Sequence, residues 1–579
     1  MDYRTLIRNG TVVDGTGRPA YRADVRIRAG RIAEIAPQLE PRDNERVFDA
    51  SGCYVTPGFI EAHNHWDAAV WWSPNMEPFP GYGVTTSING NCGFSLAPLP
   101  QDGSGRDDIV DIFNFFEDIP EVPMRGAIPW DWHTWSDYKS THERNVRTPV
   151  NFASFCGHIP MRLAVMGEAA WERAATAEEV ERMCALLDDA LAAGAMGLSS
   201  NQLDHDKHDR PLPSQLADDT EYLALLGILA RYPGATFQLI IDNWMHMTAT
   251  KVVERLGGLC EQAGVPYQWA GLPTLDFQQQ AASEQWELHE RFKAQNLPFW
   301  TGFTHVQFMF SVDFKRTLIF AQLGLQPWQD IVEITDDQAK LAALADPEWR
   351  ARARESWDSG FSNNAFTAQS VFLRESENGS GPVGVKLEVF MQAEGIDHPS
   401  DALADWVIRN GTDSVALQDG WGKVQETIIR LLKDPRSIPN VSDAGAHGKM
   451  FCGAGDNVLL LTEYVRDGKH LTIEEGINAL TGRQAEFFGL SDRGVLQVGM
   501  LADVCVFDLA EIERRPEEKL WDIPDGSGGR TYRYIRPAAP MRLTIVNGIP
   551  TFDQGVFTGK FPGRFIGPHR GIERAIAAE

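Results

Sequence analysis

The sequence lacks what would tie it to a membrane, a disulfide scaffold or a nucleic acid. No run of about 18 apolar residues could span a bilayer, and the opening Met-Asp-Tyr-Arg-Thr-Leu-Ile-Arg has no apolar core of a secretion signal. The seven cysteines, spread from Cys53 to Cys505, are odd in number and contain no Cys-x-x-Cys, which excludes a disulfide framework and a structural zinc knuckle. Positive charge is in deficit, and a net charge of −27 repels nucleic acid and anionic lipid alike. No repeats or low-complexity segments stand out. The expectation is a cytoplasmic protein that takes a small-molecule substrate, with no nucleic acid and no membrane as partner; a homo-oligomer is left open.

What is present is a chain of 579 residues, 43% apolar and 23% charged. Single cores stop growing near about 250–300 residues, so a large domain plus a smaller one is expected. Residues 1–55 alternate short β-rich runs with tight turns, as in Thr11-Val12-Val13-Asp14-Gly15 and Val25-Arg26-Ile27-Arg28-Ala29-Gly30. They cannot close a core alone, and the same texture returns at Ala502–Asp508 and Leu543–Gly548. A small β-sandwich built from both termini, 1–55 with 491–579, follows. Pro516–Gly529 reads as a mobile loop rich in charge and glycine.

Between them, 56–490 alternates apolar strands with helices. Thr176 and Glu179 form a capping box ahead of Val180, Met183, Leu187 and Leu191 at helical spacing, and Gly194 stops that helix. Strands are expected at Val150–Cys156, Met196–Ser200, Phe237–Ile241, Pro266–Ala270, Phe299–Phe303 and Ile438–Asp443. Strand–helix alternation on this scale predicts an α/β fold with a (β/α)8 TIM-type barrel, whose active residues sit at the carboxyl ends of the strands. Residues 306–436 exceed one βα unit and form an insertion or lid.

The strongest chemical signal is Thr56-Pro-Gly-Phe-Ile-Glu-Ala-His-Asn-His-Trp-Asp67. In an extended strand His63 and His65 project to one side, where two imidazoles can share a cation. Cys92, His158, His305 and Asp443 also fall at expected strand ends, and Asp443 could bind metal and accept a proton from water. The charged run Asp204-His-Asp-Lys-His-Asp209 has the residue types of a metal site, but mixed charge of this kind is more often a solvated loop, and it is left out of the expected site.

These motifs resemble the amidohydrolase superfamily, and within it the N-acyl-D-amino-acid deacylase (D-aminoacylase) branch. The resemblance runs over most of the chain, through Pro57–His65, Gly90-Asn-Cys-Gly-Phe-Ser95, Gly157-His158 with Arg162, Gly194–Ser199, Ser442-Asp443, Arg493–Gly499 and Pro562-Gly-Arg564. It implies a divalent metal, zinc above others, on His63, His65, Cys92 and Asp443, with Asp443 as catalytic base and Cys92 in place of a bridging carboxylated lysine. It also implies hydrolysis of an amide-type C–N bond of an N-acylated amino acid or related amide. The branch has histidines at the ends of strands five and six; this chain has Phe237-Gln-Leu-Ile-Ile-Asp242 and Tyr267-Gln-Trp-Ala-Gly271, which favours one ion over two. His246 is the one nearby imidazole that could compensate. The branch's arginine for an amino-acid carboxylate is replaced by Gly445-Ala-His-Gly-Lys449-Met. His158, Arg162, Trp269 and His305 are the expected substrate contacts, and the many tryptophans near strand ends suggest either packing or a bulky, aromatic substrate. Lactone or ester hydrolysis, C–C or C–O cleavage on the same scaffold, and a non-catalytic binding protein are the alternatives.

Overall fold

The computed structural model describes residues 3–208, 210–242, 248–307, 309–359, 366–419, 422–439 and 441–569. At its centre are short parallel strands paired in chain order. Phe59–Glu61 pairs with Val84–Asn89, which pairs with Asn151–Ser154. Cys156–Gly157 continues to Gly197–Gln202, Thr236–Ile241, Tyr267–Ala270, Phe299–Gly302 and Ser437–Ile438. Val441–Ala444 then returns to His63–Asn64. This is the ring connectivity of a (β/α)8 barrel, with each strand's carboxyl end on one face.

The helices between the strands form for reasons visible in their sequences. In Ala177–Ala193 the Thr176–Glu179 capping box is made and Gly194 takes the left-handed cap conformation, at φ 106°. Its buried stripe of Val180, Met183, Leu187 and Leu191 joins the main hydrophobic core. Each such side chain contributes about 1.5–3 kcal/mol by leaving water.

The two termini build one nine-stranded sheet instead of two separately bonded layers. Its strand Val504–Phe507 lies between Tyr54–Pro57 and Leu543–Val546, so each end of the chain completes the other. Because Tyr54–Pro57 belongs to this sheet, the expected boundary after residue 55 moves to Gly58. The expected mobile loop at 516–529 is corrected: Glu518–Pro524 pairs antiparallel with Arg530–Ile535, and the glycines fall in the connecting turn.

The insertion is a compact unit of its own. Met309–Asp313, Val415–Asp419, Val371–Glu375 and Val385–Lys386 form an antiparallel sheet covered by helices. Trp328, Trp349, Trp357 and Trp406 fill its core with Phe314 and Phe320. It is shorter than expected, because Gln425–Lys433 packs against the eighth-strand segment Ser437–Ile438 as a barrel helix. Among the described residues no helix is long and apolar enough to cross a membrane.

Candidate metal centre and cavity

At the carboxyl end of the ring, four side chains from three parts of the sequence converge. His63 Nε2 lies 3.1 Å from Cys92 Sγ and 3.3 Å from Asp443 Oδ1. His65 Nε2 is 3.8 Å from the same carboxylate oxygen. His63, His65 and Cys92 each present a donor atom within 4.8 Å of the others, and all three are buried. Their rings and thiol are held by backbone geometry. The eighth strand carries Ser442, whose hydroxyl donates to Glu61 Oε2 and Asn64 Oδ1 at 3.0 and 3.2 Å, locking that strand to the histidine strand. The Cys92 loop is pinned from inside the barrel: its amide donates to Gln238 Oε1, Asn201 Nδ2 donates to its carbonyl, and the Gly93 amide donates to Ser199 Oγ.

Cys92, Asp443 and His447 have left-handed backbones, at φ 56°, 50° and 52°. Such residues cost of order 1–3 kcal/mol each and persist where surroundings over-determine them. Gly445 at φ 96° meets a real need, since a Cβ there would sit 2.8 Å from the His65 carbonyl carbon.

The electrostatics suit a cation. Burial lowers the His63 ring to about 3, and burial with the neighbouring His63 and His447 rings holds His65 well below the usual range, so both are neutral donors. Burial, with Asp456 second, raises Asp443 to about 7. Burial and surrounding carboxylates push the Cys92 thiol well up. His63 Nδ1 is buried without a hydrogen-bond partner. Two neutral imidazoles, a thiol and a carboxylate crowded this closely fit a divalent ion with mixed N, S and O ligands.

Beside these residues opens a cavity of about 220 Å³. Its floor is His63, His65, Cys92 and Asp443; its walls include Glu117, Asp204, Ile240 and His447; Phe310, Ile319 and Leu323 roof it from the insertion. Three wall residues are not among those expected at the site from the sequence. Glu117 ends the helix Arg106–Glu117, its Oε1 3.6 Å from His65 Nδ1 and its Oε2 3.6 Å from His447 Nε2. A carboxylate at a helix C-terminus after Phe113-Asn-Phe-Phe opposes the helix dipole, and that was the available signal. Asp204 is buried and accepts from Asn201 Nδ2 at 2.6 Å, so this first residue of the charged run is a cavity residue and not part of a solvated loop. His447 lies in the turn after strand eight, where its amide donates to the Glu117 carbonyl.

The four expected substrate contacts lie elsewhere, and that expectation is corrected. His158 and Arg162 are fully buried against Glu221: His158 Nε2 is 2.7 Å from Glu221 Oε1, and Arg162 pairs with Oε2. Trp269 stacks on Phe299 at 5.5 Å on the outer face of its strand. It shares that face with Leu239, one residue out of step with the inward Gln238 and Gln268. His305 Nε2 donates to the Asp456 carbonyl at 2.8 Å, tying the seventh strand's exit to the helix after strand eight. None of these four lines the cavity, nor does any described tryptophan; its aromatic rings are Phe116, Phe310 and Phe451. At the end of strand five the cavity meets Ile240, and strand six ends in Ala270. His246 lies outside the described residues.

A ring of parallel strands with imidazoles, a thiol and a carboxylate gathered at its carboxyl end defines a barrel enzyme of the metal-assisted hydrolytic kind. The chain belongs to the amidohydrolase family, whose model matches residues 46–308 and 417–552. It is a divergent member beside the D-aminoacylases and a hydrolase of carbon–nitrogen bonds other than peptide bonds. Over 577 residues it is 25% identical to D-aminoacylase of Alcaligenes xylosoxydans xylosoxydans, covering 97% of both chains. Two solved structures share the fold. One is a D-aminoacylase with a binuclear metal centre showing one-metal activation and second-metal attenuation, at TM-score 0.63 and 24% identity over 97% of this chain and 99% of that one. The other is N-acyl-D-glutamate deacylase of Bordetella bronchiseptica complexed with zinc and a phosphonate inhibitor, at TM-score 0.62 and 21% identity over 98% of this chain and 100% of that one.

Proposed function

We propose that the protein is a metal-dependent hydrolase that cleaves the amide C–N bond of an acylated amine or amino acid in the cavity beneath the insertion. The observation that carries this is the convergence of His63, His65, Cys92 and Asp443 at the barrel mouth, beside a largely apolar cavity. These four residues would hold one divalent ion, zinc by the softness of the thiolate and imidazole donors. One ion suits the site better than two, since Ile240 and Ala270 stand at the ends of strands five and six. Such an ion, when bound, supplies Lewis acidity toward a carbonyl and makes a water molecule more acidic.

The chain's own residues supply the rest. Asp443, 22% exposed on the cavity side, takes a proton from the attacking water and returns it to the leaving nitrogen. Glu117 stands between the His65 and His447 rings and fixes their orientation. Phe310, Ile319 and Leu323 exclude bulk water and contact the bulky part of the substrate. The seven cysteines are all unpaired, which supports a reducing, cytoplasmic setting.

Metal analysis coupled to an amide panel tests this reading. The expected result is about one equivalent of ion per chain, lost together with amidase activity in His63→Ala. Full activity after exhaustive chelation, or cleavage of lactones and esters but no amide, would overturn it.

A further inference from the structure

The cavity that the amide-hydrolase reading uses has an unusual charge balance. Among its described lining residues there is no lysine and no arginine, while Glu117, Asp204 and Asp443 all face it. The undescribed residues between positions 242 and 441, namely 243–247, 308, 360–365, 420–421 and 440, contain no lysine or arginine in the sequence either. Lys449, which could have stood in for a carboxylate-binding arginine, is turned away. Its Nζ lies 3.8 Å from Asp118 Oδ1, and it lines a separate small cavity beside Arg533, itself bound to Asp522. Apart from the floor residues, His447 and Gln322, whose Nε2 donates to the Phe115 and Phe116 carbonyls, the remaining walls are apolar, from Phe116, Leu203 and Ile240 to the roof residues.

A substrate carboxylate entering this space would lose its hydration shell with no guanidinium or ammonium to replace it. A neutral apolar group loses nothing of the kind and gains by burial. We propose that the site, if it is an amide hydrolase as argued above, acts on uncharged N-acyl amines that carry no free carboxylate and discriminates against N-acyl amino acids. The reaction balances as one amide plus one water giving one carboxylic acid and one free amine. The carbonyl carbon–nitrogen bond breaks, a carbon–oxygen bond forms, and the water proton passes through Asp443 to the leaving nitrogen. The acid so formed ionises in water, and the cavity holds it no better than a carboxylate substrate, having no lysine or arginine among its described lining residues.

The test compares N-acetylphenethylamine with N-acetyl-D-phenylalanine and its L enantiomer, which differ from it only by the carboxylate. The metal-replete protein is expected to favour the neutral compound about tenfold or more in kcat/KM. In a separate readout, calorimetric titration of Asp443→Asn, which keeps Glu117 and Asp204 and adds no cation, is expected to give tighter binding of the neutral compound by a smaller factor. Leu323→Arg, which adds a cation to the half-buried roof, is expected to narrow that ratio by lowering KM for the anionic compounds. A wild-type preference for either N-acetylphenylalanine, in turnover or in binding, would overturn the proposal while leaving the hydrolase reading intact. Binding of the neutral compound with no cleavage of any of the three would overturn the hydrolase reading and leave the charge preference of the cavity standing.

Discussion

The two sides of the cavity are built by different means. On the barrel side, each site residue is fixed by the main chain. His63 sits in a strand paired with Val441, Cys92 in a loop bound by Gln238, Ser199 and Asn201, and Asp443 two residues beyond Val441. On the roof side, Phe310, Ile319 and Leu323 belong to an insertion with its own sheet and tryptophan-rich core. The family model stops at 308 and resumes at 417, so it covers the first side and passes over almost all of the second. The difference separates two tasks: the geometry of bond cleavage rests on the barrel, and the shape of the substrate rests on a unit that can change without disturbing it.

Variants can break or sharpen that division. Asp443→Asn removes a floor group and is expected to lower kcat/KM on the order of 10³-fold with the roof intact; steady-state kinetics with a hydrogen-exchange map of 309–419 would check both halves. Trp328→Ala strikes the roof core, where it is fully buried and its indole donates to Ser400 Oγ. It is expected to cost the insertion about 3–5 kcal/mol, seen as faster exchange in 309–419 while the barrel strands keep their protection. Phe310→Ala shortens the roof without unfolding it, and should raise KM for bulky amides by about tenfold while metal content stays unchanged.

The smallest effect concerns pH. Lys340 is buried in the insertion, its Nζ donating to the carbonyls of Phe314 and Val332, and burial lowers it to about 8. The unfolded chain therefore binds more protons than the folded one from pH 8 up to the ordinary lysine value. Stability of the insertion should rise through that window, by at most about 1.4 kcal/mol per pH unit. Equilibrium unfolding of the insertion, followed at several pH values, would detect this slope, and Lys340→Met should flatten it.

Much of the barrel side was legible in the sequence, because strand periodicity places His63 and His65 on one face and Asp443 at the end of the last strand. The errors have a common physical cause. Position along the chain suggests Trp269 as a cavity residue, yet side chains alternate along a strand and register assigns the inner face to Gln268. His158 and Arg162 are expected to meet substrate, but their partner Glu221 lies about sixty residues away and only the folded chain brings it near. Glu117, Asp204 and His447 escape a reading by pattern because the segments that aim them into the cavity have no strand periodicity. The roof's existence is apparent from its length, whereas its contacts with the cavity depend on tertiary packing alone.

The closing pair of strands has a further consequence for the newly made chain. Glu61 and Ser442, which bond across that seam, are 381 residues apart. During synthesis the histidines emerge long before the aspartate that completes them, so the donor set cannot form until nearly all of the barrel has left the ribosome. An ion bound at full strength would thus mark a finished ring, and its binding energy would be spent on keeping the first and last strands together.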